Sequence, residues 1–209
     1  VNLSDLAPTF LEAAGISIPK MMTGKALTDI LQGKTNVKRE AAFIAMERHA
    51  GCREGGKGYP CRAIRTKEYL YVRNFDPDRW PAGSPERKHC VRHIRYGEVD
   101  PSPTKTVMMD EPKYAKLAGL AFGKRPAEEL YLISDDPYQL QNLADTKGFQ
   151  KTRNLLRQQL DDHLKKSGDP RLTGKPALWD YYPFYRAPKF PGWKVAPMPA
   201  EFLKSYKVK

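Results

Sequence analysis

Glu47, Arg48 and His49 stand in an unbroken row of ionisable side chains. They follow Ala41 to Met46, a run of small and apolar residues that reads as a buried strand. Polar groups at the tip of such a strand are where open α/β sheets commonly place their ligands. A little further on, Tyr59 and Arg62 flank the entry to a second alternating segment. A guanidinium binds carboxylate or sulfate through two parallel hydrogen bonds, and a histidine near neutral pH either donates a hydrogen bond or carries charge. Glu47, Arg48, His49, Tyr59 and Arg62 are therefore the candidate binding set, and an anionic ligand suits it. The competing reading is a solvated strand end.

Between these positions Gly51, Gly55, Gly56 and Gly58 make a basic, flexible loop with Arg53 and Lys57. It lacks the strand-to-helix context and the G-K-[ST] ending of a phosphate-cradling loop. The three cysteines, Cys52, Cys61 and Cys90, are an odd number and do not read as a disulfide framework. Cys52 and Cys61 can pair across the glycine-rich loop in an oxidising compartment. Zinc is the alternative, because Cys90 and His93 are spaced C-x2-H, but the gap from Cys52 to Cys61 lacks the usual C-x2-4-C knuckle.

Several elements must position these groups. Leu3, Leu6, Phe10, Leu11 and Ala14 recur at helical spacing behind Ser4 as N-cap, with Pro8 near the first turn and Gly15 at the end. Residues 25 to 33 read as a short helix stopped by Gly33. Residues 62 to 66 and 69 to 75 alternate as a hairpin across Lys67 and Glu68. Leu130 to Ile133 form another strand, which Ser134, Asp135, Asp136 and Pro137 stop at a corner. Leu140 and Leu143 are spaced to tuck back beneath it. Phe149, Leu156, Leu160 and Leu164 then share one face of a long helix. These segments predict an α+β fold: a small antiparallel sheet of three to four strands under a C-terminal helix, preceded by the last helices and strand of an α/β domain.

Residues 76 to 127 read as an irregular insertion with a short helix near 112 to 120, long enough to suggest a substrate-facing role. The tail after Asp169 alternates prolines with Trp179, Tyr181, Tyr182, Phe184, Tyr185, Phe190 and Trp193. It cannot form regular structure but has the aromatic surface to wrap a body. With 209 residues the chain is long enough for a core, and 36 Lys plus Arg against 24 Asp plus Glu give a formal charge of +12. That balance favours sulfated glycan, nucleic acid or an anionic surface. No run of about 18 apolar residues is present to span a membrane. The chain begins without Met or signal peptide, which reads as a piece of something longer.

Two blocks carry a family resemblance. The segment L-Y-L-I-S-D-D-P-Y-Q-L-Q-N-L-A resembles the ending of sulfatases of the alkaline-phosphatase-like superfamily, matching at Leu130, Tyr131, Asp136, Pro137, Asn142, Leu143 and Ala144, with Gln139 in place of an acidic residue. The opening S-D-L-A-P-T-F-L-E-A-A-G-I and the following P-K-M-M-T-G-K-A-L resemble a helix and turn late in the same catalytic domain. Within the family, M-E-R-H followed by G-Y-P-C-R-A-I-R-T is most similar to heparan N-sulfatases.

The resemblance implies hydrolysis of sulfate from a glycan, the N-sulfate of glucosamine in heparan sulfate. It also implies a formylglycine nucleophile and a calcium ion whose ligands lie outside this chain, and a periplasmic, secreted or lysosome-like setting. Cys61-Arg62-Ala63-Ile64-Arg65 fits the loosest form of the formylglycine motif. It is rejected because that motif opens a helix early in the family, where the helix N-terminus faces the sulfate, whereas these residues run into a hairpin. This chain then holds no catalytic residue and no metal. Its expected share is the wall of the sugar pocket at Glu47, Arg48, His49, Tyr59 and Arg62. The expected division is 1–50 as the end of the catalytic domain, 51–172 as the C-terminal subdomain and 173–209 as the tail. The expected partners are the sulfated glycan and the missing N-terminal catalytic part. The alternative is a stand-alone basic module that binds sulfated glycan or, less well supported, nucleic acid without chemistry.

Overall fold

A computed structural model describes residues 1–34, 39–172 and 178–182, with Pro197 and Ala200. Its centre is a four-stranded antiparallel sheet in the order β1 (Ala42–Met46), β2 (Cys61–Arg65), β3 (Tyr69–Asn74) and β4 (Glu128–Leu132). The hairpin turns where its sequence placed it, with the Thr66 N–H donating to the Tyr69 carbonyl at 2.9 Å. Register sets Ile64 opposite Tyr71 and Tyr71 opposite Leu130. Because side chains alternate along each strand, these three share one face.

Helix α5 (Gln150–Ser167) covers that face. Leu156, Leu160 and Leu164, one turn apart, pack with Ile64, Tyr71, Leu130 and Ala144 to form the core. Gly168 ends the helix in the left-handed region at φ 69°, a conformation that costs glycine least, and so turns the chain sharply into Asp169. Leu143 returns beneath β4 through its N–H to the Leu130 carbonyl at 2.8 Å. Leu140, expected to tuck in with it, is 62% exposed. The Asp136 carboxylate holds the Leu140 and Gln141 N–H groups in the corner instead.

The strand at residues 42–46 departs from expectation. It is not a buried strand of an open α/β sheet but the edge of this antiparallel one, paired with β2, and Ile44 and Met46 are 47% and 42% exposed. Apolar composition alone does not separate a strand covered on both faces from an edge strand. The sheet accordingly crosses the expected division at residue 50.

The N-terminal turn is capped by Asn2, not Ser4, in a reciprocal pair with Asp5, and runs into α1 (Leu6–Ala13). Leu3 and Phe10 on it are 83% and 67% exposed. Helix α2 is a single turn (Thr28–Leu31). The Asn2 side chain donates to the Phe43 carbonyl at 2.8 Å, joining this unit to β1.

The insertion is less irregular than its composition suggests. It holds α3 (Pro103–Asp110), capped by the Ser102 hydroxyl with Pro103 in the first turn, and α4 (Ala115–Phe122). Tyr96 stacks on Phe122 at 4.8 Å, and buried Lys105 donates to the Tyr96 and Val99 carbonyls. Of the tail, the described residues 178–182 begin with a short turn, Leu178–Asp180. The rest of the expected wrapping segment lies outside the described residues.

Candidate functional site

The five predicted site residues converge on one corner, where β1 ends and β2 begins, but they divide sharply in what they do there. Arg62 points from β2 to the helix-covered face and is 2% exposed. Its Nε meets Asp169 Oδ2 at 2.7 Å, Nη2 meets Glu47 Oε1 at 2.7 Å, and Nη1 donates to the Met46 and Cys61 carbonyls at 3.0 and 2.9 Å. Burial alone lowers the Arg62 pKa, but the hydrogen bonds with Asp169 and Glu47 outweigh it and hold the group above its ordinary value. Every face of this guanidinium is engaged inside the protein. Arg62 is thus a clasp and not, as the sequence suggested, a residue facing ligand.

Glu47 is the other half of the clasp. Arg171 grips it through Nε to Oε1 at 3.0 Å and Nη2 to Oε2 at 2.5 Å. Trp179 lies beside the Arg62 and Arg171 guanidinium groups at 5.5 and 5.6 Å from its ring centre. Asp180, itself buried, accepts the Gly58 N–H at 2.8 Å and pairs with Arg79 at 3.0 Å. Gly58 is favoured by a close contact within the chain: a Cβ there would lie 3.1 Å from the Glu47 carbonyl carbon and oxygen. The loop thus packs closely against the strand end. Tyr59 is 2% exposed, with its N–H on the Glu47 carbonyl at 2.8 Å and its phenol raised above the usual range by burial. It too is interior.

Arg48 and His49 remain. Arg48 is half-buried and held by the Gly56 and Tyr182 carbonyls at 3.0 and 2.6 Å, and burial lowers its pKa. The His49 side chain is 83% exposed, with Nδ1 at 3.2 Å from Glu98, which Arg53 fixes at 2.8 Å. The corner can therefore present a held cation and an exposed imidazole above a base of paired charges. The members missed from sequence, Asp169, Arg171, Asp180, Arg79 and Trp179, belong to the clasp. Their one sequence signal is Asp-Pro-Arg directly after the Gly168 helix stop.

Cys61 to Arg65, the rejected formylglycine look-alike, are β2 itself. Cys52 meets Cys90, not Cys61. Among the described residues no three or more His, Cys, Asp or Glu side chains are grouped to hold a metal ion.

Residues 1–82 match the family described as N-sulphoglucosamine sulphohydrolase, C-terminal. Two proteins of Formosa agariphila, each described as an ulvan-active sulfatase, are 27% and 26% identical to the chain over 170 and 172 residues. The alignments cover 81% of this chain in both cases, and 30% and 26% of those proteins. One solved structure, in complex with its substrate D-glucosamine-2-N,6-O-disulfate, is similar with a TM-score of 0.49 at 19% identity, covering 80% of this chain and 25% of that one. A 2-O GAG sulfatase is similar with a TM-score of 0.48 at 20% identity, covering 87% and 29%. Over these stretches the chain is similar to the C-terminal portion of sulfatases. It spans under a third of the length of the curated relatives it matches, 30% of the first.

Proposed function

We propose that these residues complete a glycan sulfatase, a hydrolase that removes the N-sulfate of glucosamine from heparan sulfate in a periplasmic or otherwise extracytoplasmic setting. The observation that carries this reading is that residues 1–82, matched to the N-sulphoglucosamine sulphohydrolase C-terminal family, contain the whole corner from Glu47 to Arg62. The nucleophile and the calcium site belong to the part of the protein outside this chain, so the segment alone turns over no sulfamate. Its own work is to bind. Arg48 orients an anionic group of the sugar, and His49 donates to a hydroxyl or sulfate oxygen while the clasp beneath keeps both in register. The exposed apolar residues of the N-terminal turn, α1 and β1, Leu3, Phe10, Ile44 and Met46 among them, are the ones the rest of the enzyme covers.

The test is kinetic and uses the complete enzyme with N-sulfated and O-sulfated glucosamine oligosaccharides and an ulvan oligosaccharide. Turnover confined to the N-sulfated substrate, weakened by Arg48→Ala and His49→Ala, is expected. Turnover of ulvan or of the O-sulfated sugar alone sinks the assignment of linkage.

A further inference from the structure

Cys52, on the glycine-rich loop, and Cys90, in the insertion, bring their Sγ atoms to 2.9 Å across 38 positions of sequence, and both residues are buried, at 0% and 1% exposure. The approach is built in by the backbone. The Val91 N–H donates to the Gly51 carbonyl at 2.9 Å and the Ser84 N–H to the Cys52 carbonyl at 2.7 Å, so the neighbours of each cysteine are bonded to the other strand of chain. Gly97 closes the pocket over the sulfurs: a Cβ there would fall 2.3 Å from Cys90 Sγ and 2.5 Å from Cys52 Sγ. Nothing larger than hydrogen fits, and only a covalent bond brings two sulfurs closer than this contact. We propose that Cys52 and Cys90 form a disulfide that staples the insertion to the loop beside Arg48 and His49, leaving Cys61 as the free thiol.

Formation needs an oxidant, and the class that fits is a disulfide, either a thiol–disulfide oxidoreductase or oxidised glutathione. The Cys90 thiolate attacks one sulfur of that disulfide and releases the other as a thiolate. Cys52, deprotonated in turn, attacks Cys90 Sγ and displaces the second thiolate. Two protein thiols lose two protons and two electrons, and one disulfide of the oxidant becomes two thiols. Either cysteine can make the first attack, because exchange takes place while this part of the chain is still open. With both sulfurs sealed in the folded protein, exchange belongs to folding, before residues 96–98 close over them.

The protein is refolded with and without an oxidised and reduced glutathione couple, alkylated in denaturant without reductant, digested and mapped by mass spectrometry. A peptide joining Cys52 to Cys90, with Cys61 alkylated, is expected in the oxidised sample. Alkylation of all three cysteines, or a linkage through Cys61, overturns the proposal. A second measurement compares urea midpoints of the oxidised and reduced forms. The oxidised form should unfold at higher urea in the unaltered protein and in Cys61→Ser, and the difference should vanish in Cys52→Ser/Cys90→Ser. Equal midpoints in the unaltered protein overturn the stapling role, and if the double variant does not fold, the peptide map still decides.

Discussion

Phe43 of β1 and His163 of α5 lie face to face, with ring centroids 3.7 Å apart and planes within 2° of parallel. Burial lowers the His163 pKa below its ordinary value of 6.5 and Lys166 adds to the shift, with Asp169 opposing. A histidine with a depressed folded-state pKa contributes stability that is complete above 6.5 and lost as pH falls through that value towards the lower folded one. Urea midpoints across about pH 5 to 8 should therefore decline on the acid side, and His163→Phe should remove that component of the slope. Identical slopes in the two proteins would show that the stack does not titrate with folding.

Arg62→Ala should cost about 3 to 5 kcal/mol, because truncation takes the buried guanidinium away from Asp169 and leaves Glu47 to Arg171 at an interior corner. Asp169→Asn keeps the shape and should cost less. Chemical denaturation of the two variants checks the order. An Arg62→Ala protein as stable as the parent but with a raised KM in the complete enzyme would return Arg62 to the ligand.

Leu160, fully buried between β2, β3 and its own helix neighbours, should lose about 2 to 5 kcal/mol on replacement by Ala. A midpoint shift within error would mean that α5 does not form the core of the sheet.

In the complete enzyme Arg48→Ala should lower kcat/KM about ten- to hundredfold through the loss of one charge-assisted contact. His49→Ala, being the more exposed, should do less. If the contacts are equal in ground and transition states, the change appears in KM. Two variants that are folded and kinetically silent would mark the corner as solvated surface.

The sheet and α5 were legible because periodicity and turn chemistry agree there: Leu156, Leu160 and Leu164 recur every four residues, and Asp136–Pro137 can only turn. The corner was legible as a place but not as an arrangement. Glu47 and Arg62 were visible as charged, yet what neutralises them is Arg171 and Asp169, 124 and 107 positions away, and pairing at such separation has no local signature. For the same reason Cys52 seemed matched to its near neighbour Cys61 when its partner is Cys90. Helix α3 went unseen although Ser102-Pro103 is a capped start, because its low apolar content hides the helical period.

The clasp also imposes an order on synthesis. A ribosome delivers Glu47, Arg62 and the first three strands long before Asp169, Arg171 and Asp180 exist, so until the last fifth of the chain emerges Arg62 has only Glu47 and two carbonyls to satisfy it. The strand-end corner is thus among the last parts of the molecule to become rigid. A stop codon before residue 169 should leave a translated sheet whose corner never sets, which limited proteolysis between Gly51 and Gly58 would reveal as rapid cutting.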